Sequence, residues 1–118
     1  MSMLMDQRHY PRLPVQLEVC YTILGNDSKI HTGYARDVSE NGLRLVTETP
    51  LQPGAFLRIQ IQDATLFGEI RHCTPSMDLH VSGVYIEEIL VGPSELSRLI
   101  SATLNQVPKL TPAANRQS

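Results

Sequence analysis

Two clusters of side chains interrupt the patterns around them and carry groups able to hold a ligand. The first is Arg8-His9-Tyr10-Pro11-Arg12. Arginines at i and i+4 share a helix face, but Pro11 disfavours helix for Tyr10, so the segment reads as extended or turned. Two guanidinium groups placed this way approach a ligand from different sides. Each is a planar fork of donors that grips a phosphate or a guanine edge at two points, where lysine acts as a point charge. The second cluster is Asp37-Val38-Ser39-Glu40-Asn41-Gly42. Asp is a poor strand residue, Ser bonds back to nearby backbone, and Asn and Gly tolerate positive φ, so this is a tight polar corner. Taken singly, each cluster has an ordinary explanation: a solvated arginine pair, and plain turn chemistry.

Composition limits what these clusters can be part of. The chain has 118 residues, enough for one domain and one core. Hydrophobic residues make up 42%, which excludes a wholly disordered chain. Ten basic against twelve acidic residues give a net charge of −2, so no global positive field draws nucleic acid, and any anion must be held locally. The basic residues are eight Arg and two Lys, and four of the arginines fall within the first 44 positions. No apolar run approaches the roughly 20 residues that span a bilayer, and the first residues lack the apolar stretch of a secretory signal. A cytoplasmic protein that does not engage a membrane is expected. Cys20 and Cys73 are then free thiols rather than a disulfide.

The elements that position the clusters are mostly strands. Val15, Leu17, Val19, Tyr21 and Ile23 alternate with polar residues, the period of a half-buried strand, which Gly25-Asn26-Asp27-Ser28 ends. A second strand is predicted from about Lys29 to Asp37 and a third from Leu43 to Thr47. Pro50, Pro53 and Gly54 break the chain before a fourth through Leu57, Ile59 and Ile61. Asp63-Ala64 reads as a hairpin tip leading into a fifth strand from Thr65 to Cys73, closed by Thr74-Pro75-Ser76. The sixth runs from Leu79 to Ile89, with Gly83 marking a bulge or a close backbone approach. After Gly92-Pro93-Ser94-Glu95 the period changes, and Leu96, Leu99, Ile100, Thr103 and Leu104 predict one helix with that face on the sheet. The fold class is all-β: a small six-stranded antiparallel barrel with one C-terminal α-helix, since closure hides strand edges. Residues 1–13 form an expected flexible arm, 14–106 the barrel and helix, and 107–118 a disordered tail with two Pro and little to bury.

An R-x-x-x-R segment ahead of the first strand, followed by D-x-S-x-x-G after the second strand of a six-stranded barrel, resembles the PilZ domain family of bacterial cyclic di-GMP receptors. The likeness runs from Arg8 to the helix ending near Asn105. Gly83-Val84-x-Ile86 fits the last strand, although the family more often has Phe where Ile86 stands. By motif position the resemblance implies that Arg8, Arg12, Asp37, Ser39 and Gly42 bind cyclic di-GMP. The chemistry is consistent with that. Arg8 and Arg12 suit guanine O6 and N7 or phosphate, each good pair worth ~1–3 kcal/mol of discrimination by analogy with DNA. The Asp37 carboxylate accepts from guanine N1–H and the exocyclic amine, and facing adenine it would lose partners at a cost of ~1–3 kcal/mol. Ser39 bonds phosphate or the purine edge, and Gly42 keeps the corner free of a side chain. Arg36 and Arg44 flank the corner as outward-facing charges. Gln7, before the first arginine, leaves the number of bound ligands open.

The implied mechanism is a ligand-ordered arm that remakes a surface for a downstream effector protein. The rival is a PilZ-like adaptor that binds protein but no nucleotide, although such divergent relatives usually lack both motifs. Enzyme activity, catalytic residues and a cofactor are not expected, since no G-x-S-x-G or H-E-x-x-H segment occurs. His31, His72, Cys73 and His80 match no common zinc spacing, so no metal is expected. With 5% aromatics and no Trp, oligonucleotide stacking on the barrel is disfavoured.

Overall fold

The computed structural model describes residues 16–25 and 29–104. Six antiparallel strands close into a barrel: β1 Leu17–Ile23, β2 His31–Arg36, β3 Gly42–Thr47, β4 Phe56–Ile61, β5 Ala64–Ser76 and β6 Leu79–Leu90. One helix, α1 Glu95–Leu104, follows. The order around the barrel is β1-β2-β3-β6-β5-β4, and β4 pairs with β1 to close it. The arm 1–13, Val15 and the tail 107–118 lie outside the described residues.

The alternation that predicts β4 sets its two faces. Leu57, Ile59 and Ile61 point inward and are fully buried, while Arg58 and Gln60 face out. Their inward partners include Val19, Tyr21, Leu45, Leu66, Ile70, Val84 and Ile86, so the core lies inside the cylinder. Each aliphatic side chain removed from water there stabilises the fold by about 1.5–3 kcal/mol. Ile100 and Leu104 of α1 join the same core.

Several elements differ from expectation, among them β2, which spans His31–Arg36 rather than Lys29 to Asp37. β5 continues through Thr74-Pro75-Ser76 instead of ending there. It pairs with β4 only from Ala64 to Glu69, so Pro75 sits where the strand has β6 alone beside it and its missing N–H breaks no ladder. The hairpin tip is Gln62-Asp63 rather than Asp63-Ala64, since Ala64 already pairs with Ile61 and Gln62 takes the positive φ of 53°. β1 begins at Leu17. On α1 the buried residues are Ser97, Ile100, Ser101, Thr103 and Leu104, while Leu99 is 42% exposed.

Asp63 is the cause of that rotation. Its carboxylate accepts hydrogen bonds from the Ser94 N–H at 2.9 Å, the Ser94 hydroxyl at 2.6 Å and the Ser97 hydroxyl at 2.8 Å. Ser94 Oγ in turn accepts from the Ser97 N–H at 3.0 Å, which makes Ser94 the N-cap of α1. The β4–β5 hairpin tip therefore seizes the helix start and turns its small polar residues inward. The helix packs by anchor as well as by hydrophobic stripe.

The hydroxyls of Ser94 and then Ser97 hold the Asp63 carboxyl below its ordinary value of 3.8. The unfolded chain then binds this proton more readily than the folded one, so Asp63 contributes stability above the ordinary carboxylate value that is lost as pH falls through the lowered one. Asp63→Asn is expected to flatten the acid side of the stability–pH curve, measured by urea unfolding between pH 2 and 6. A second expectation concerns Gly42. A Cβ there would run into the Val84 carbonyl across the β3–β6 pair, a backbone atom that cannot turn aside. Gly42→Ala is expected to cost about 1–3 kcal/mol in the same assay at pH 7.

Candidate functional site

Val38 is fully buried, while Asp37 and Ser39 on either side of it are partly exposed. The corner is closed by the Ser39 N–H donating to the Gly42 carbonyl at 2.8 Å. Asn41 O accepts from the Ile86 N–H at 3.1 Å, which ties the corner to β6. The positive φ falls on Asp37, at 52°, and on neither Asn41 nor Gly42. Gly42 is required instead by the close approach of β6. Asp is among the few non-glycine residues that enter the left-handed region at low cost.

Asp37 does not stand alone. Its Oδ2 accepts from Arg44 Nη1 at 3.1 Å, and Arg36 Nε lies 3.9 Å away. Arg36 and Arg44 are register partners across β2 and β3, so their outward side chains flank the carboxylate from one edge. Arg44 is exposed and Arg36 partly so, as expected of outward-facing charges, yet both are engaged by Asp37. The pair leaves a surplus of one positive charge at the corner.

A groove of about 390 Å³ opens from this corner across the outer face of β3, β6 and β5. Its near wall is Asp37, Ser39, Asn41 and Arg44; its far wall is Arg71, His72 and Tyr85. Gly83 lies between, paired with Arg44 on one side and His72 on the other. A Cβ at Gly83 would strike the His72 imidazole, so the glycine lets the ring lie down and keeps the floor low. The expected close approach at Gly83 is thus present, while the bulge sits on the neighbouring strand. Ile70 pairs with Val84 and His72 with Gly83, which leaves Arg71 as the extra residue.

Of the residues the sequence proposes for ligand binding, Asp37, Ser39 and Gly42 come together at one lip of this groove. Arg8 and Arg12 lie outside the described residues. The far wall was not anticipated. Its signal is present in Glu69-Ile70-Arg71-His72-Cys73, where two consecutive polar residues shift the phase of an otherwise alternating strand. Among the described residues no group of three His, Cys, Asp or Glu is placed to hold a metal ion. No helix among them is long and apolar enough to cross a membrane.

The architecture is a closed antiparallel barrel with a polar corner after its second strand and a capped C-terminal helix. The sequence profile of the PilZ domain matches residues 6–101, most of the 118, and the chain belongs to the PilZ domain family. This is a family of cyclic di-GMP-binding receptor and adaptor domains. A comparison with curated proteins finds no significant match.

The left-handed backbone at Asp37 decides which substitution isolates its charge. Asp37→Asn keeps a residue tolerant of that region and removes the carboxylate, so its thermal midpoint should fall within a degree or two of the parent. Asp37→Ala forces an ordinary side chain into it and is expected to lose about 1 kcal/mol of stability as well. Parallel thermal melts of the two variants check this.

Proposed function

We propose that this chain is a receptor that binds cyclic di-GMP in the groove of β3, β6 and β5. Arg8 and Arg12 supply cationic forks from the N-terminal arm, and Asp37 reads a guanine. The observation that carries the reading is the Asp37 carboxylate, held outward at the groove lip with an arginine already bound to it. A guanidinium presents N–H donors much as a guanine presents N1–H and its exocyclic amine. Arg44 therefore fills, in the free protein, the place that a guanine edge takes in the complex. Once displaced, its charge is released toward the ligand's phosphates. Ser39, at the same groove lip, bonds the phosphate or the purine edge.

Adenine offers Asp37 no matching pair of donors. A carboxylate stripped of Arg44 and left unpaired costs about 1–3 kcal/mol, enough to reject cyclic di-AMP. Family membership supports the ligand class, and the corner supports the guanine preference.

The signal is proposed to leave through the arm. Ligand held by Arg8 and Arg12 fixes residues 1–13 over the barrel and creates a surface that a downstream effector protein recognises.

Isothermal titration of the full chain with cyclic di-GMP tests the reading. Binding is expected for the parent, with Arg8→Ala and Asp37→Asn each weakened at least about 10-fold and cyclic di-AMP giving no heat. No binding by the parent would sink the receptor reading and leave a protein adaptor. Hydrogen exchange with and without ligand tests the relay: protection of residues 1–13 should rise on binding, and equal protection would remove the arm from the output.

A further inference from the structure

The far wall of the groove has a construction that the Asp37 corner does not explain. The bulge at Arg71 breaks the alternation of β5, so that Arg71 and His72, adjacent in sequence, are both exposed. The Arg71 guanidinium carbon lies over the Tyr85 ring, 4.6 Å from its centre. Its Nε is 3.7 Å from Glu69 Oε1, which holds the fork from the side. Between them Tyr85 and Glu69 fix one face and one edge of the guanidinium plane. The side chain remains 55% exposed, so its other face is bare, and it lines the groove.

A flat cation immobilised on an aromatic ring is a platform for a flat, electron-rich ligand. It also stands at a telling distance from the corner. β3, β6 and β5 are consecutive in the barrel, and neighbouring strands lie about 4.8 Å apart, so Arg44 and the β5 wall are separated by about 10 Å. The floor between is Gly83, over which the His72 imidazole lies. One purine whose edge meets Asp37 cannot also cover the far wall. A ligand with two purines joined through phosphates can, and its second purine meets no carboxylate on that side that is free of an arginine.

We propose that Arg71, seated on Tyr85, is a stacking subsite for the second purine of the dinucleotide. The inference rests on the receptor reading and assigns to the bulge of β5 the half of the ligand that the corner leaves unheld. Two subsites of different chemistry then divide the work. Asp37 identifies a base by its hydrogen-bonding edge, and Arg71 accepts a base by its face, so the far wall supplies affinity for a dinucleotide more than choice of base. Gly83 belongs to the same subsite by making room for the His72 imidazole beside Arg71.

Titration of the full chain with cyclic di-GMP, using Arg71→Ala, Arg71→Lys and Tyr85→Leu beside Asp37→Asn, tests it. Arg71→Ala and Arg71→Lys are both expected to weaken binding about 10-fold with an unchanged thermal midpoint, because lysine keeps the charge and loses the plane. Tyr85→Leu, which unseats the guanidinium, is expected to weaken it several-fold. If Arg71→Lys binds as the parent does, Arg71 is only a point charge and the stacking subsite is wrong. If Asp37→Asn loses binding while every Arg71 and Tyr85 variant keeps it, the subsite is wrong and the receptor reading stands. Failure of the parent to bind removes the receptor reading and this inference with it.

Discussion

β3 and β6 are separated by more than thirty residues and yet lie side by side, and the barrel closes only because they do. Their backbones meet so closely at Gly42 that no side chain fits between the strand and the Val84 carbonyl. That approach fixes where the Asp37–Gly42 corner sits, because Asn41 is tied to Ile86 on the far side of it. It also sets Arg44 beside Gly83 and, through Gly83, beside His72. Loosening this one pairing would scatter the near wall, the floor and the far wall of the groove together. The site is thus a by-product of barrel closure, and its residues come from strands that have no local reason to meet.

The electrostatics follow from the same geometry. A chain of net charge −2 has no long-range attraction for an anion, and salt screens what little field it has beyond about 8 Å. The groove is nevertheless locally cationic, since Arg44 and Arg71 line it against Asp37. Each of these arginines has a partner in the free protein, so the charges are oriented in advance rather than waving in solvent. A guanidinium already held in place loses less conformational entropy when it engages a ligand than a free one does. At the β4–β5 hairpin tip, Asp63 performs the analogous service for α1, trading one carboxylate for a fixed helix start.

Strands β1 and β4 were legible because alternation over five or more residues leaves little choice of face, and both appear nearly as their sequences imply. The helix was legible as an element but not in its rotation. Leu99 belongs to the hydrophobic stripe and still faces solvent, because the Asp63 anchor outbids one leucine and turns Ser97 and Ser101 inward. Pro75 misled in the other direction: proline ends strands flanked on both sides, and this segment of β5 has β6 alone beside it. The corner was legible as a polar turn, while the residue that takes the positive φ was not, since Asp, Asn and Gly all tolerate it and the ties of Asn41 and Gly42 to β6 leave it to Asp37.

Local order along the chain determined the number and type of elements, the class of fold and the D-x-S-x-x-G corner. It did so because side-chain alternation, turn residues and helix caps act within a few positions of one another. Which cations face Asp37, that Gly83 forms a floor, and that Arg71 lies on Tyr85 were decided only by the tertiary structure. Those contacts depend on strand register across β3, β6 and β5 and on the bulge at Arg71. Register is set by the whole closed core, and no window of sequence contains it.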